Sequence, residues 1–170
     1  NINKLDKLIT DESDVEIHVF NNKIVFKYMN YIFQSSLLSG SYPNTNNLIP
    51  TKFEFVITTS LNDYYNAIDR AALLTQNKDK NIIKMETNNT ELLISSYASE
   101  IGKSEESILI NKSNEQDISI SFSSKYMIDA LKTFEDEELI IFLNNDSSPI
   151  ILKSAKDETL IQLILPIKTY

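Results

Sequence analysis

Side chains of the kind that carry catalysis are few in this sequence. His18 is the sole histidine of the 170 residues, and it alternates with apolar neighbours in the run VEIHVF, which marks a position on a strand surface with no catalytic role. A proton relay through it would need partners delivered by the fold. Four consecutive carboxylates, Glu135, Asp136, Glu137 and Glu138, have the charge to hold a divalent metal. Neighbours in sequence cannot all face one ion, so the run reads as a solvated turn between a helix and a strand. The two glycines, Gly40 and Gly102, build neither a P-loop nor a dinucleotide fingerprint, and the absence of cysteine removes disulfides, thiolate zinc sites and thiol redox chemistry. These residues point away from an enzyme, a metal site or a bound cofactor, and towards a binding protein.

The stretch best suited to binding is the C-terminal 147–170, SSPIILKSAKDETLIQLILPIKTY. Apolar runs at 150–152 and 160–167 flank a polar connector at 153–159, the pattern of an antiparallel hairpin. Pro166 has no N–H to give to a ladder, so pairing should end there and leave 167–170 as an ordered tail, with apolar groups beside it as a docking edge. Leu163, Leu165 and Ile167 would share one strand face. On the residues alone, these three and Tyr126 read as core rather than as a pocket.

The elements that must position this stretch can be read from periodicity. Residues 1–9 show helical spacing, and strands are expected at 15–20, 23–28 and 31–38, with a tight turn at Asn21-Asn22. Gly40, Pro43, the polar run 44–47 and Pro50 have domain-boundary composition, which divides the chain into 1–49 and 50–170. Beyond it a strand at 53–58 leads to a helix capped by Ser60, with Asp63 three residues on, running to about Leu74. Strands at 82–86, 91–96 and 107–111 follow. From residue 117 the same order returns: strand 117–122, with Ile118, Ile120 and Phe122 on one face, helix 124–134, then strands 138–143, 149–153 and 160–165. Residues 51–170 therefore hold two β-α-β-β-β units, and 1–39 resemble one that lacks its first strand. A repeated unit too small to bury its own core implies that units pair. The fold class is α+β, with helices packed under antiparallel sheets.

Sixteen basic against 24 acidic side chains give a net charge of −8, the wrong sign for a protein that grips nucleic acid through a broad basic face. The longest apolar runs fall far short of the roughly 20 residues that span a bilayer, so a soluble, cytoplasmic chain without membrane contact is expected.

Three segments, LILPIKTY at the end, FSSKYMIDAL upstream and GSYPNTNNLIP near the start, closely resemble the bacterial DNA polymerase III beta subunit, the sliding clamp. The resemblance covers essentially the whole chain and implies the DNA-clamp fold, with the later half of the middle domain at 1–49 and the C-terminal, third domain at 50–170. Together with the missing initiating Met, it suggests a C-terminal fragment. In the family two three-domain chains close into a homodimer ring whose helices line the hole and whose sheets form the outside. The implied function is that of a processivity factor for DNA replication. It would be a non-catalytic subunit of the DNA polymerase III holoenzyme that encircles duplex DNA without sequence preference, needs no cofactor, and holds the polymerase catalytic subunit and the clamp loader through short linear peptides.

Carried over by position, the resemblance assigns a hydrophobic peptide-binding pocket between the second and third domains to Pro43, Asn47 and Leu48, to Ser123 and Tyr126, to Ser147 and Pro149, and to Leu163, Ile164, Leu165, Pro166, Ile167 and Lys168. Asn47 stands where the family often has arginine, Ser123 where it often has asparagine, and Asp79 at a position that can be aromatic, which affects the polar details of ligand choice. It assigns Arg70, Lys78, Lys80, Lys125 and Lys132 to the DNA-facing side, where a few cations would give weak, salt-sensitive attraction. Leu73 and Leu74 match the ring-closing dimer contact, although one of the two fits the core equally well. The alternative function is a clamp-fold adaptor that binds peptides without encircling DNA.

Overall fold

The computed structural model describes residues 2–11, 13–41, 44–45, 48–75, 81–99 and 102–168. The chain divides into two compact units, 1–44 and 45–170, so the division falls within the Gly40 to Pro50 loop, slightly ahead of residue 49. In the first unit α1 (Ile2–Asp6) leads to an antiparallel sheet of β1 (Glu16–Val19), β2 (Lys23–Tyr28) and β3 (Tyr31–Ser36) in that order. Helix α1 is shorter than the spacing of 1–9 suggests. The Leu8 and Ile9 N–H groups both turn back on the Leu5 carbonyl, and the β-branched Ile9 and Thr10 that follow favour extended backbone. The exit is held at β2, where the Thr10 N–H donates to the buried Tyr28 hydroxyl and that hydroxyl donates to Asp11 at 2.9 Å.

The second unit carries two β-α-β-β-β halves. The first is β4 (Phe55–Ser60), α2 (Leu61–Leu73), β5 (Ile82–Asn88), β6 (Glu91–Ala98) and β7 (Gly102–Leu109). After the short β8 (Asn111–Lys112) comes the second: β9 (Ser119–Ser123), α3 (Ser124–Leu131), β10 (Glu138–Leu143), β11 (Ile150–Ser154) and β12 (Ile161–Ile164). The halves exchange their first strands. β4 pairs with β10, and β9 pairs with β5, giving sheets of order β12-β11-β10-β4-β8 and β7-β6-β5-β9. Because each half completes the other's sheet, neither could bury its apolar face alone. The expected pairing of units is thus present in a form that periodicity does not reveal.

Several boundaries differ from the sequence reading, each for a local reason. β4 starts two residues late, at Phe55, because Phe55, Ile57 and Thr59 point into the core while Phe53 packs on Phe142 with ring centroids 4.9 Å apart. The strand expected at 107–111 is two strands in different sheets. β7 begins at Gly102 as a polar edge strand without apolar alternation, whereas Asn111 belongs to β8 and pairs with Thr58. Helix α3 stops at Leu131 rather than 134, where the Thr133 hydroxyl donates to the Ala130 carbonyl and the chain turns Phe134 inward.

The core lies where α2 and α3 pack on each other and on the inner sheet faces, among Ile57, Tyr64, Ile68, Met85, Phe122 and Ile141, all essentially inaccessible. Burial pushes the Tyr64 phenol far up from its ordinary pKa, so it stays neutral and contacts the Met85 sulfur at 3.4 Å. Hydrogen bonds from Ser96 Oγ to the Ala71 carbonyl (2.8 Å) and from Thr59 Oγ1 to the Leu109 carbonyl (2.9 Å) satisfy polar groups inside this apolar layer. No helix among the described residues is long and apolar enough to cross a membrane.

Candidate functional site

An open apolar groove of about 710 Å³ lies between α3 and the segment running from β12 into the tail. Helical geometry builds one wall, since Tyr126, Asp129, Ala130 and Thr133 lie at i, i+3, i+4 and i+7 on one face. The other wall is the continuous stretch from Gln162 to Ile167. Both ends are pinned. Gln162 Nε2 donates to Thr133 Oγ1 at 3.0 Å, and the Ile167 N–H donates to the Ser121 carbonyl at 2.7 Å. The helix and the β12-tail segment therefore run side by side in opposite directions. Ladder pairing between β11 and β12 ends at Ile150 with Ile164, so the tail leaves the sheet just before Pro166, as a residue without an N–H requires.

Ile164 points into the core between the half-buried Leu163 and Leu165, which is 67% exposed, and Leu163, Leu165 and Ile167 all line the groove, together with Gln162, Ile164 and Pro166. Tyr126 is 65% exposed, which removes the alternative that it serves as core. Two large apolar side chains thus stand open beside a groove that nothing in the unit covers among the described residues. Ser123, buried at the head of α3, makes no side-chain cap bond, unlike Ser60, which accepts from the Asp63 N–H at 3.2 Å.

The structure brings Ser123, Tyr126, Leu163, Ile164, Leu165, Pro166 and Ile167 together in this groove. Ser147 and Lys168 lie across the tail, in a separate polar cavity of about 400 Å³ that shares Ile167. Leu48 is exposed and Pro149 half-buried, and neither lines these two cavities. Pro43, Asn47, Lys78, Asp79 and Lys80 lie outside the described residues. Sequence reasoning missed Asp129, Ala130, Thr133 and Gln162 as groove residues, although stepping three, four and seven positions along the helix from Tyr126 would have found the first three.

Of the cations assigned to a DNA-facing side, Lys125 and Lys132 are exposed without an ion-pair partner among the described residues. Arg70 is engaged, with Nε donating to Glu106 Oε2 at 2.8 Å and Nη2 to Oε1. The Arg70 guanidinium holds the Glu106 carboxyl below the usual carboxylate range and is itself shifted up by that hydrogen bond. Leu73 stands 61% exposed at the end of α2, and Leu74, its C-cap, is half-buried. His18 is exposed on β1 beside Glu16 at 3.1 Å.

Residues 46–168 match the family described as DNA polymerase III beta subunit, C-terminal domain. The beta sliding clamp of Staphylococcus epidermidis is 38% identical over 170 residues, covering 99% of this chain and 45% of that protein. That of Staphylococcus aureus strain Mu50 is 39% identical over 168 residues, covering 98% and 45%. The crystal structure of the Bacillus subtilis DNA polymerase sliding clamp superposes with a TM-score of 0.87 at 36% identity, again covering 99% of this chain and 45% of that one. Antiparallel sheets around paired helices, in this arrangement, are the DNA-clamp fold. The chain belongs to the DNA polymerase III beta subunit family, the sliding clamps of DNA replication, and spans about 45% of the relatives it matches.

Proposed function

We propose that this chain works in a non-catalytic processivity clamp that encircles duplex DNA as a homodimer ring and holds the replicative polymerase, the clamp loader and other partners through short peptides docked in the α3–β12 groove. The observation that carries the peptide-binding part is the groove itself, with the exposed Tyr126 and Leu165 at its rim and its two ends pinned by hydrogen bonds. A preformed apolar groove with few polar groups suits one or two large apolar anchors. Each would contribute roughly 1.5–3 kcal/mol before ordering costs, enough for binding of about micromolar strength.

In the ring reading, α2 and α3 face DNA with Lys125 and Lys132 as free cations among the described residues, and the exposed Leu73 together with edge strand β7 belongs to the contact that closes the ring. A net charge of −8 and the engagement of Arg70 by Glu106 favour the adaptor as second reading. Retention of the whole clamp on closed circular DNA decides between them; a monomer that washes off at micromolar concentration would leave only the adaptor.

Peptide titration into the 170-residue chain tests the groove. Leu165→Asp should abolish binding by placing an uncompensated charge against the anchor. Lys156→Ala, in the exposed β11–β12 connector, should leave affinity unchanged, and removing 167–170 should weaken it while the circular dichroism spectrum stays folded. Undiminished binding by a folded Leu165→Asp chain would move the site elsewhere.

A further inference from the structure

We infer that Ser96 is a positioning residue for the contact that closes the ring, holding the last turn of α2 so that Leu73 is presented to the partner subunit. This rests on the ring reading and adds to it a residue buried away from any partner. Counted from the N-caps Ser60 and Ser123, Ile68 of α2 corresponds to Leu131 of α3. There α3 ends and the chain turns Phe134 inward, whereas α2 continues through 69–73. Of these added residues Asp69 and Arg70 are exposed, Ala71 and Ala72 are buried, and Leu73 is the one large apolar side chain, 61% exposed. The extra turn therefore gives the surface an apolar group that has no counterpart at the end of α3.

Packing anchors such a turn weakly, because alanine buries little apolar area. Its carbonyls are also among those that a helix C-terminus leaves without an intrahelical partner. Two buried hydroxyls supply the anchor. Ser96, 4% exposed on β6, donates from Oγ to the Ala71 carbonyl at 2.8 Å, and Thr75, buried just past the helix, donates from Oγ1 to the Ala72 carbonyl at 3.0 Å. Thr75 closes the turn on itself, since its N–H serves the same carbonyl at 2.9 Å. Of the two, Ser96 is the one that ties the turn to another element, the strand next to edge strand β7 in its sheet. At the end of α3 the Thr133 hydroxyl closes the Ala130 carbonyl from within the same turn. The bond from Ser96 thus registers the end of α2, and Leu73 two residues on, against the sheet whose edge enters the same contact.

A double-mutant cycle on the whole clamp tests this, with subunit dissociation measured by sedimentation under native conditions and folding followed by circular dichroism. Leu73→Ala should weaken subunit association by about tenfold or more, the scale of an interface anchor. Ser96→Ala should weaken it about three- to tenfold, the scale of one net hydrogen bond, and should add nothing in the Leu73→Ala background, because it acts through that side chain. Thr75→Val should act in the same direction but less, since the N–H of residue 75 still serves the Ala72 carbonyl. Ser154→Ala, which removes a buried hydroxyl from β11 and its bond to Asp136, controls for lowered stability and should leave dissociation unchanged. An unchanged dissociation constant in folded Ser96→Ala, no loss in Leu73→Ala, or the same loss from Ser96→Ala with and without Leu73 overturns the inference and leaves the ring reading standing. A whole clamp that is monomeric at micromolar concentration overturns both.

Discussion

The two halves of the 45–170 unit place the same framework in opposite states. Each has a helix beside the last strand of its own half, α2 beside β7 and α3 beside β12. Counted from the N-caps Ser60 and Ser123, Asp63 corresponds to Tyr126, Asn66 to Asp129, Ala67 to Ala130 and Arg70 to Thr133. The cleft beside α2 is lined by Asp63, Asn66 and Arg70 against 106–109, and the Arg70–Glu106 pair bridges it. The groove beside α3 has Tyr126 and Ala130 against Leu163 and Leu165, and the neutral Thr133–Gln162 hydrogen bond, at the matching place, pins one end only. A polar cleft bridged by its own charges satisfies itself. An apolar groove left open is satisfied only by something else, and that difference is why binding is assigned to the second half.

The comparison can be broken by making the second half copy the first. The triple variant Tyr126→Asp, Thr133→Arg and Gln162→Glu would rebuild the α2 pattern on α3 and remove the main aromatic anchor site. Peptide affinity should fall by about 30-fold or more, the scale of losing a hot-spot contact, while thermal unfolding remains cooperative. Retained affinity in a folded triple variant would mean that the polarity of this helix face does not govern binding.

A smaller effect separates the two caps. Ser60 closes the N-terminus of α2 by accepting the Asp63 N–H, whereas Ser123 makes no such bond. Ser60→Ala should cost about 1 kcal/mol in chemical denaturation, and Ser123→Ala clearly less. Equal losses would show that the caps do not differ in solution.

How far this contrast was legible in the sequence differs between framework and site. The repeated order, the Ser60 cap and the Ile118, Ile120 and Phe122 face follow from local periodicity, which local backbone geometry enforces. The exchange of β4 and β9 between sheets is a pairing of residues far apart in the chain, and no local pattern encodes it. β7 was read too short because an edge strand needs no apolar alternation to form hydrogen bonds. For the groove, Pro166 announced where the ladder ends, but the composition of Tyr126, Leu163 and Leu165 suits a core as well as an open wall. Only the exposure of Tyr126 and Leu165 separates those meanings. The family resemblance supplied the choice of a pocket, which the residues alone did not make.

The smallest expected effect is also the most direct probe of the bridged cleft. Arg70 and Glu106 are both partly exposed, with side-chain accessibilities of 55% and 32%, so solvent screens the pair and its contribution to stability is small. The folded-state pKa of Glu106 is depressed, mainly by the hydrogen bond from Arg70. A depressed carboxylate contributes its stability above the unfolded-state pKa, near 4.3, and loses it as pH falls through the folded value. Wild type should therefore lose slightly more stability than Glu106→Gln between about pH 6 and pH 3, by a few tenths of a kcal/mol. Asp11, Glu16, Asp117 and Asp157 are also depressed, but they are shared by both chains and cancel in the difference. Thr133 and Gln162 do not titrate, so Gln162→Leu should leave the pH dependence of stability as it is in wild type. Parallel pH profiles for wild type and Glu106→Gln, measured by urea denaturation at low ionic strength, would show that the charges beside α2 contribute nothing to closing that cleft, and would reduce the contrast between the halves to side-chain polarity alone.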